Sequence, residues 1–275
     1  MRRSLEGSIG ALLSDPIGRE LLAEMDTGAV AARIVAEDLY GDGVRMRQAA
    51  SIAGADVLDW CEHRLWCAQR EALGRRAEPL RVSLTGRDHR HETVGWATVV
   101  VAPMTLAMAD ALSVIGVVAD GREVIVFGHD VFSDDVTDPH IDVADPTRKR
   151  TRSEIENVLD RGGIYCTYGD FTYAGLPARR VHLFGRPRPM SAGWIELAAR
   201  DHTMLQPVLC RRLGNAHVVV ELAEPVRIDS RDGRAQPEAV GALLAELLEA
   251  AIRTAPSQWL LLPTLSFDSP EMATA

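Results

Sequence analysis

The side chains best suited to acid-base chemistry in this sequence follow two apolar segments of buried-strand type. His129, Asp130 and Asp134 come after the segment EVIVF, and Asp170 comes after the segment GIYCT. Ligands of α/β proteins generally bind at the carboxyl ends of strands. An imidazole that titrates near neutral pH, beside carboxylates, can take a proton from an attacking amine or hydroxyl group. We therefore predict that these four residues are catalytic.

Each of these residues also has a purely structural interpretation. The stretch around His129 is equally typical of a solvated acidic turn in which the imidazole bonds a nearby carbonyl. Asp170 follows Gly169, and an aspartate in a turn commonly accepts a hydrogen bond from its own backbone. Both interpretations stay open.

Four further residues are candidates for substrate binding. Tyr168 and Tyr173 belong to a cluster that holds three of the four tyrosines, which is typical of a polar-aromatic pocket wall as well as of core packing. Arg186 and Arg188 belong to a basic segment. Arginine binds anions in a bidentate fashion, so this segment is either a clamp for an anionic or carrier-bound substrate or a solvated surface.

The predicted secondary structure that positions these residues changes along the chain, from helices to alternating strands and helices. Residues 1–79 carry apolar residues three and four apart, which predicts helices over 29–40 and 46–73. From residue 80 onward, apolar runs of strand length alternate with helical stretches. We predict one domain over 1–275, with a helical N-terminal part (1–79) and an α/β core (80–275) whose sheet is mostly parallel and flanked by helices.

Composition narrows the function classes. The formal net charge of -9 disfavours nucleic acid and anionic lipid as partners. No stretch is apolar enough to cross a bilayer and no signal peptide is recognisable, so we expect a cytoplasmic protein without an integral membrane segment. The four cysteines lack metal-ligand spacing and are expected to be reduced core thiols, and we predict no metal and no cofactor. Among 30 basic residues only Lys149 is a lysine, which suggests a high-GC, actinobacterial genome.

Five strings in order resemble the late acyltransferases of lipid A biosynthesis, a branch of the lysophospholipid acyltransferase superfamily. The first is the helical stretch from Arg33 to Leu65, and the others are LRVSLTGRDHRHETVGWATVVVAP, LDRGGIYCTYGD, VHLFGRPRPMSAGW and APSQWLLL. The resemblance implies a lysophospholipid acyltransferase-like fold and places Asp170 where the family has an aspartate facing its cleft.

The sequence departs from the family at the catalytic pair. In that family a histidine followed five residues later by a carboxylate activates the acceptor hydroxyl group, but the same register here holds Pro103 and Met108, and neither side chain can carry a proton. We expect Pro103 between a buried strand and the next helix, and Met108 about one turn inside that helix. His129 and Asp134 have the same spacing, which we interpret as coincidence.

Three functions remain open. The leading hypothesis is a repurposed enzyme of specialised metabolite (antibiotic) biosynthesis that acts on a small-molecule or carrier-bound substrate. Its reaction is transferase-like, or it closes a ring or displaces a leaving group. The second is a non-catalytic subunit that binds an acyl group or carrier and supports a partner enzyme. The least favoured is a true lipid or glycolipid acyltransferase.

Overall fold

The computed structural model describes residues 4–39, 43–106, 108–127, 140–144, 151–172, 177–200, 202–227 and 237–266. The described helices are α1 (Leu5–Leu13), α2 (Pro16–Ala23), α3 (Thr27–Glu37), α4 (Gly43–Ala53), α5 (Val57–Leu73), α6 (Met108–Ala119), α7 (Thr151–Asp160), α8 (Ala192–Ala198) and α9 (Pro237–Thr254). The described strands are β1 (Arg81–Thr85), β2 (Ala97–Ala102), β3 (Val124–Phe127), β4 (Ile141–Ala144), β5 (Ile164–Tyr168), β6 (Ala178–Leu183), β7 (Arg186–Ser191), β8 (Thr203–Gly214), β9 (His217–Leu222) and β10 (Val226–Arg227).

The N-terminal part is helical, as predicted, but the segment 46–73 forms two helices rather than one. Gly54 adopts a φ of 75°, a left-handed conformation that ends α4. The Asp56 side chain then accepts hydrogen bonds from the backbone of Leu58 and Asp59 and caps α5. The sequence also predicts that Leu58 shares a buried apolar stripe with Ile52 and Leu65, but Leu58 is 41% exposed, so this expectation is wrong.

The main sheet is mostly parallel, as predicted, and its strands follow the order β1-β9-β8-β2-β5-β3-β4. Parallel pairs join β1 with β9, β2 with both β8 and β5, and β3 with both β5 and β4. Antiparallel pairs join β8 with β9 and β10. β5 lies between β2 and β3, so the helix-linked strands β2 and β3 are not neighbours.

Helices cover both faces of this sheet, which gives an α/β fold with two apolar layers. One layer packs residues of the N-terminal helices, α7, α8 and α9 against strand residues such as Val99 and Tyr165. The other layer packs α6 residues, including Leu112 and Val118, against Val100 and other strand residues of the opposite face. No helix in the described ranges is both long and apolar enough to cross a membrane.

The sequence predicts a helix over 237–254 whose apolar stripe of Leu243, Leu244, Leu247, Leu248 and Ile252 is buried. Helix α9 has these bounds, but only part of the stripe is buried. Leu244, Leu248 and Ile252 are at most 2% exposed, whereas Leu243 and Leu247 are half-buried at the edge of the core. The expectation that all five are buried is therefore wrong for these two.

Strands β6 and β7 form a separate antiparallel hairpin that the sequence pattern did not reveal. Phe184 and Gly185 connect the strands, with φ values of 54° and 70°. Two successive positive φ values are what a type I′ two-residue turn requires. The hairpin packs on α9, where the missing side chain of Gly241 leaves room for Val181.

Candidate functional site

The candidate site lies where β2 and β5 end. The two strands are parallel and pair Ala102 with Tyr168, so the segments after them leave the sheet at the same edge. Pro103 is buried and lies between β2 and α6, as predicted. Helix α6 begins at Met108, so the expectation that this residue lies a turn inside the helix is wrong.

The Asp170 side chain connects three segments of the chain by hydrogen bonds at this edge. Both carboxylate oxygens lie 3.1 Å from the backbone nitrogen of Met104, which donates a hydrogen bond. The indole Nε1 of Trp259 donates to Asp170 Oδ2 at 2.5 Å. The backbone oxygen of Trp259 in turn accepts a hydrogen bond of 2.9 Å from Trp60 in α5. The carboxylate thus links the end of β5, the loop after β2 and the segment that follows α9.

Burial and these hydrogen bonds shift the pKa of the Asp170 carboxyl group in opposite directions. Burial disfavours the charged form and raises the pKa from 3.8 to about 6, although N–H donors from Met104, Trp259 and the residue's own backbone lower it. A carboxyl group with such a pKa is largely ionised at pH 7 and is basic enough to accept a proton from a reacting group.

A small cavity of about 50 Å³ lies beneath α6, near the ends of β2 and β5. We call it the apolar cavity; its wall includes Pro103, Thr105, Leu106, Cys166, Tyr168 and Cys210. Tyr168 donates a hydrogen bond of 2.8 Å to the backbone oxygen of Leu106. Burial raises the pKa of the Tyr168 phenol well above its usual range, so the hydroxyl group remains protonated. Tyr168 is therefore part of a pocket wall, while its hydroxyl group holds the loop after β2.

The cysteines are free thiols, as expected. All four are buried, and none forms a disulfide. Burial raises the pKa of Cys210 to about 12 and that of Cys166 further, so neither thiol ionises at neutral pH.

The hairpin turn contacts Trp259, the tryptophan bonded to Asp170. The rings of Phe184 and Trp259 lie 5.7 Å apart, and Glu249 of α9 accepts a hydrogen bond of 2.6 Å from the Phe184 backbone. Arg186 directly follows this turn and Arg188 lies two residues further, both half-buried. Their role in substrate binding stays a prediction.

Four predicted site residues lie outside the described residues: His129, Asp130, Asp134 and Tyr173. Strand β3 ends at Phe127 and pairs in parallel with β5. Convergence of these groups with Asp170 therefore stays a prediction.

Sequence reasoning missed the partners of Asp170. Trp259 belongs to the string APSQWLLL, and a buried indole needs an acceptor, so a buried carboxylate was the signal that could have identified its partner. The Met104 donor is a backbone group, which residue types cannot reveal.

Comparison with known proteins supports the resemblance over the C-terminal part. Residues 154–265, less than half of the chain, match the family model described as bacterial lipid A biosynthesis acyltransferase. That range includes Asp170 and Trp259 but not Pro103 or Met108. No curated protein matches the sequence. The match confirms the resemblance to the lipid A late acyltransferases over these residues. The described residues form an α/β fold with a mostly parallel sheet.

Proposed function

We propose that the chain is a divergent acyltransferase-like enzyme of small-molecule biosynthesis that uses Asp170 as its proton acceptor. The observation that carries this proposal is a carboxyl group with a pKa of about 6 at the carboxyl edge of the sheet, hydrogen-bonded to the residue that follows Pro103. Because Pro103 cannot act as a base, another group must take the proton from the acceptor.

The apolar cavity supports a short acyl group as the transferred moiety. Its volume of about 50 Å³ leaves room for a few carbon atoms and is far too small for a lipid tail. The loop that bonds to Asp170 contributes Pro103, Thr105 and Leu106 to the cavity wall. We propose that an acyl group bound there presents its carbonyl carbon on the side of the loop whose Met104 backbone bonds to Asp170.

In the proposed step an amine or hydroxyl group attacks the carbonyl carbon of an acyl thioester. A C–N or C–O bond forms, the C–S bond breaks, the proton of the nucleophile passes to Asp170, and the thiolate leaves. We also propose that His129, Asp130 and Asp134 assist the proton transfer. We propose specialised metabolism as the setting, with a cytoplasmic location and a small-molecule or carrier-bound substrate.

The experiment uses acetyl and butanoyl thioesters of N-acetylcysteamine as probes, with a panel of small amines as acceptors. Mass spectrometry measures acyl transfer by the wild type, by Asp170→Asn and by Asp142→Asn, the last an exposed aspartate as control. We expect transfer by the wild type and the control, and a loss of at least ~100-fold in Asp170→Asn. Equal rates in all three proteins would refute the role of Asp170.

A second candidate is a non-catalytic subunit that binds an acyl group or carrier. The observation in its favour is that the Asp170 carboxylate already accepts hydrogen bonds from Met104 and Trp259, as a carboxylate with a purely structural role does. Calorimetry measures whether the wild type binds the probe thioesters. If it binds them but transfers no acyl group, with or without added amines, the result favours this candidate over the enzyme.

A further inference from the structure

Helix α5 donates two buried side-chain hydrogen bonds to the segments that surround Asp170. Trp60 and His63 are three residues apart in this helix, so they share one of its faces. They are 3% and 2% exposed. Each donates to a backbone oxygen of another segment, and each of these two segments supplies an N–H donor to the Asp170 carboxylate.

The first connection runs through the segment that follows α9. Trp60 Nε1 donates a hydrogen bond of 2.9 Å to the backbone oxygen of Trp259. The indole of Trp259 in turn donates to Asp170 Oδ2. Immediately before α5, the backbone nitrogen of Asp56 donates to Ser257 Oγ at 2.9 Å. The segment that carries the Trp259 indole is therefore bonded to α5 and its N-cap at two points.

The second connection runs through the loop between β2 and α6. His63 Nε2 lies 2.7 Å from the backbone oxygen of Thr105. A carbonyl oxygen can only accept, so Nε2 carries the hydrogen of this bond. The preceding residue, Met104, donates its backbone N–H to Asp170, and its oxygen accepts a hydrogen bond of 2.9 Å from the backbone of Leu260. His63 thus bonds to the loop that supplies the second donor.

The ionisation of the buried Asp170 depends on these donors. Burial raises the pKa of the carboxyl group, and three N–H donors oppose the rise: Met104, Trp259 and the Asp170 backbone itself. In the described part of the chain, no charged side chain contributes to the shift. Two of the three donors belong to segments that bond to α5. A donor that moves away stabilises the carboxylate less, so the pKa then rises further.

We infer that Trp60 and His63 are positioning residues for Asp170. Trp60 places the indole of Trp259 against the carboxylate, and His63 places the backbone N–H of the loop there. The inference deepens the proposed function and rests on it for its catalytic meaning, because the donors affect catalysis only if Asp170 is the proton acceptor. It also assigns part of the site to a helix outside residues 154–265, the range that matches the family model.

Carbon-13 NMR of the Asp170 carboxyl group tests the inference without any activity. The pKa is measured in the full chain labelled with ¹³C-aspartate, and the signal is assigned by its absence from Asp170→Asn. We expect the pKa to rise by at least about 0.5 in Trp60→Phe and in His63→Leu, because each substitution removes one N–H donor of α5. His63→Gln keeps an N–H donor and should return the pKa toward the wild-type value.

The matched control is Gln69→Leu. Gln69 also donates from α5 to backbone oxygens, those of Ala23 and Met25 at 3.0 and 2.8 Å, and neither residue bonds to Asp170. The control should therefore have the wild-type pKa. An unchanged pKa in Trp60→Phe or in His63→Leu would overturn the role of that residue, and an equal rise in Gln69→Leu would overturn the inference as a whole.

The thioester assay supplies the catalytic readout. We expect kcat to fall at least ~10-fold in Trp60→Phe and in His63→Leu with KM within about 2-fold of the wild type, because a misplaced proton acceptor slows the chemical step. A raised pKa in both variants, together with no transfer by the wild type, would support the positioning residues and refute the proposed function. The two failures are thereby distinct.

If either variant does not fold, the indole ¹⁵N signal of Trp60 in the wild type decides. We expect it to titrate with the same midpoint as Asp170, because Trp259 links the two groups. The indole of Trp66, which donates to the backbone oxygen of Asn215, should stay constant. A constant Trp60 signal would overturn the inference.

Discussion

Replacement of Asp170 by asparagine should change how the stability of the protein depends on pH. The folded state holds the Asp170 proton with a pKa of about 6, against an ordinary value of 3.8. Because the folded state binds this proton more tightly than the unfolded chain, the contribution of Asp170 to stability is greatest below about pH 4 and is lost as the pH rises through about 6. The full difference corresponds to about 3 kcal/mol.

Only part of this difference can be observed in a practical pH range. Between about pH 7 and about pH 4.5, linkage gives the wild type a gain of about 2 kcal/mol from this one group, and Asp170→Asn lacks that gain. Urea denaturation of both proteins at the two pH values measures it, and Asp142→Asn should behave as the wild type does. An identical pH dependence in Asp170→Asn and the wild type would refute the raised pKa.

Three other variants probe the packing around the site. Trp259→Phe removes an N–H donor from the Asp170 carboxylate, so we expect a loss of about 1–3 kcal/mol in urea denaturation and an upward shift in the midpoint of the pH dependence described above. Leu248→Ala should cost about 2–5 kcal/mol because Leu248 is 2% exposed, and Leu247→Ala should cost clearly less because Leu247 is half-buried; similar losses would contradict the packing of α9. Arg70 Nε lies 2.7 Å from Oδ2 of the buried Asp110 in α6. Arg70→Met leaves this carboxylate without its partner, so we expect a loss of about 3–5 kcal/mol in thermal or urea denaturation. A neutral result would contradict burial of that ion pair.

The sequence was sufficient to predict the fold class and most elements, because apolar periodicity is a local property. The bounds of α9 and the mostly parallel sheet came from such patterns. The hairpin was missed because β6 and β7 contain arginines and prolines instead of a clean apolar alternation. The split of the segment 46–73 at Gly54 was missed because one glycine is tolerated within many helices.

The site was predictable only in part, because its chemistry depends on contacts between distant segments. The position of Asp170 after a strand followed from the sequence, but its bond to Trp259 joins residues that the chain separates by 89 positions. The hydrogen bond between His63 and the backbone oxygen of Thr105 likewise joins residues 42 positions apart, which no motif records. The family resemblance suggested that Pro103 and Met108 stand at the family's catalytic positions, but it did not point to the contacts that Asp170 makes with Met104 and Trp259.

The pH profile of acyl transfer in the thioester assay tests the role of Asp170 most directly. A general base with a pKa of about 6 is active when ionised, so the rate of the wild type should rise with pH and level off above about pH 7. The inflection near pH 6 should be absent from the residual activity of Asp170→Asn. A wild-type rate that does not vary between about pH 5 and about pH 8, or the same inflection in Asp170→Asn, would contradict the assignment of Asp170 as the proton acceptor.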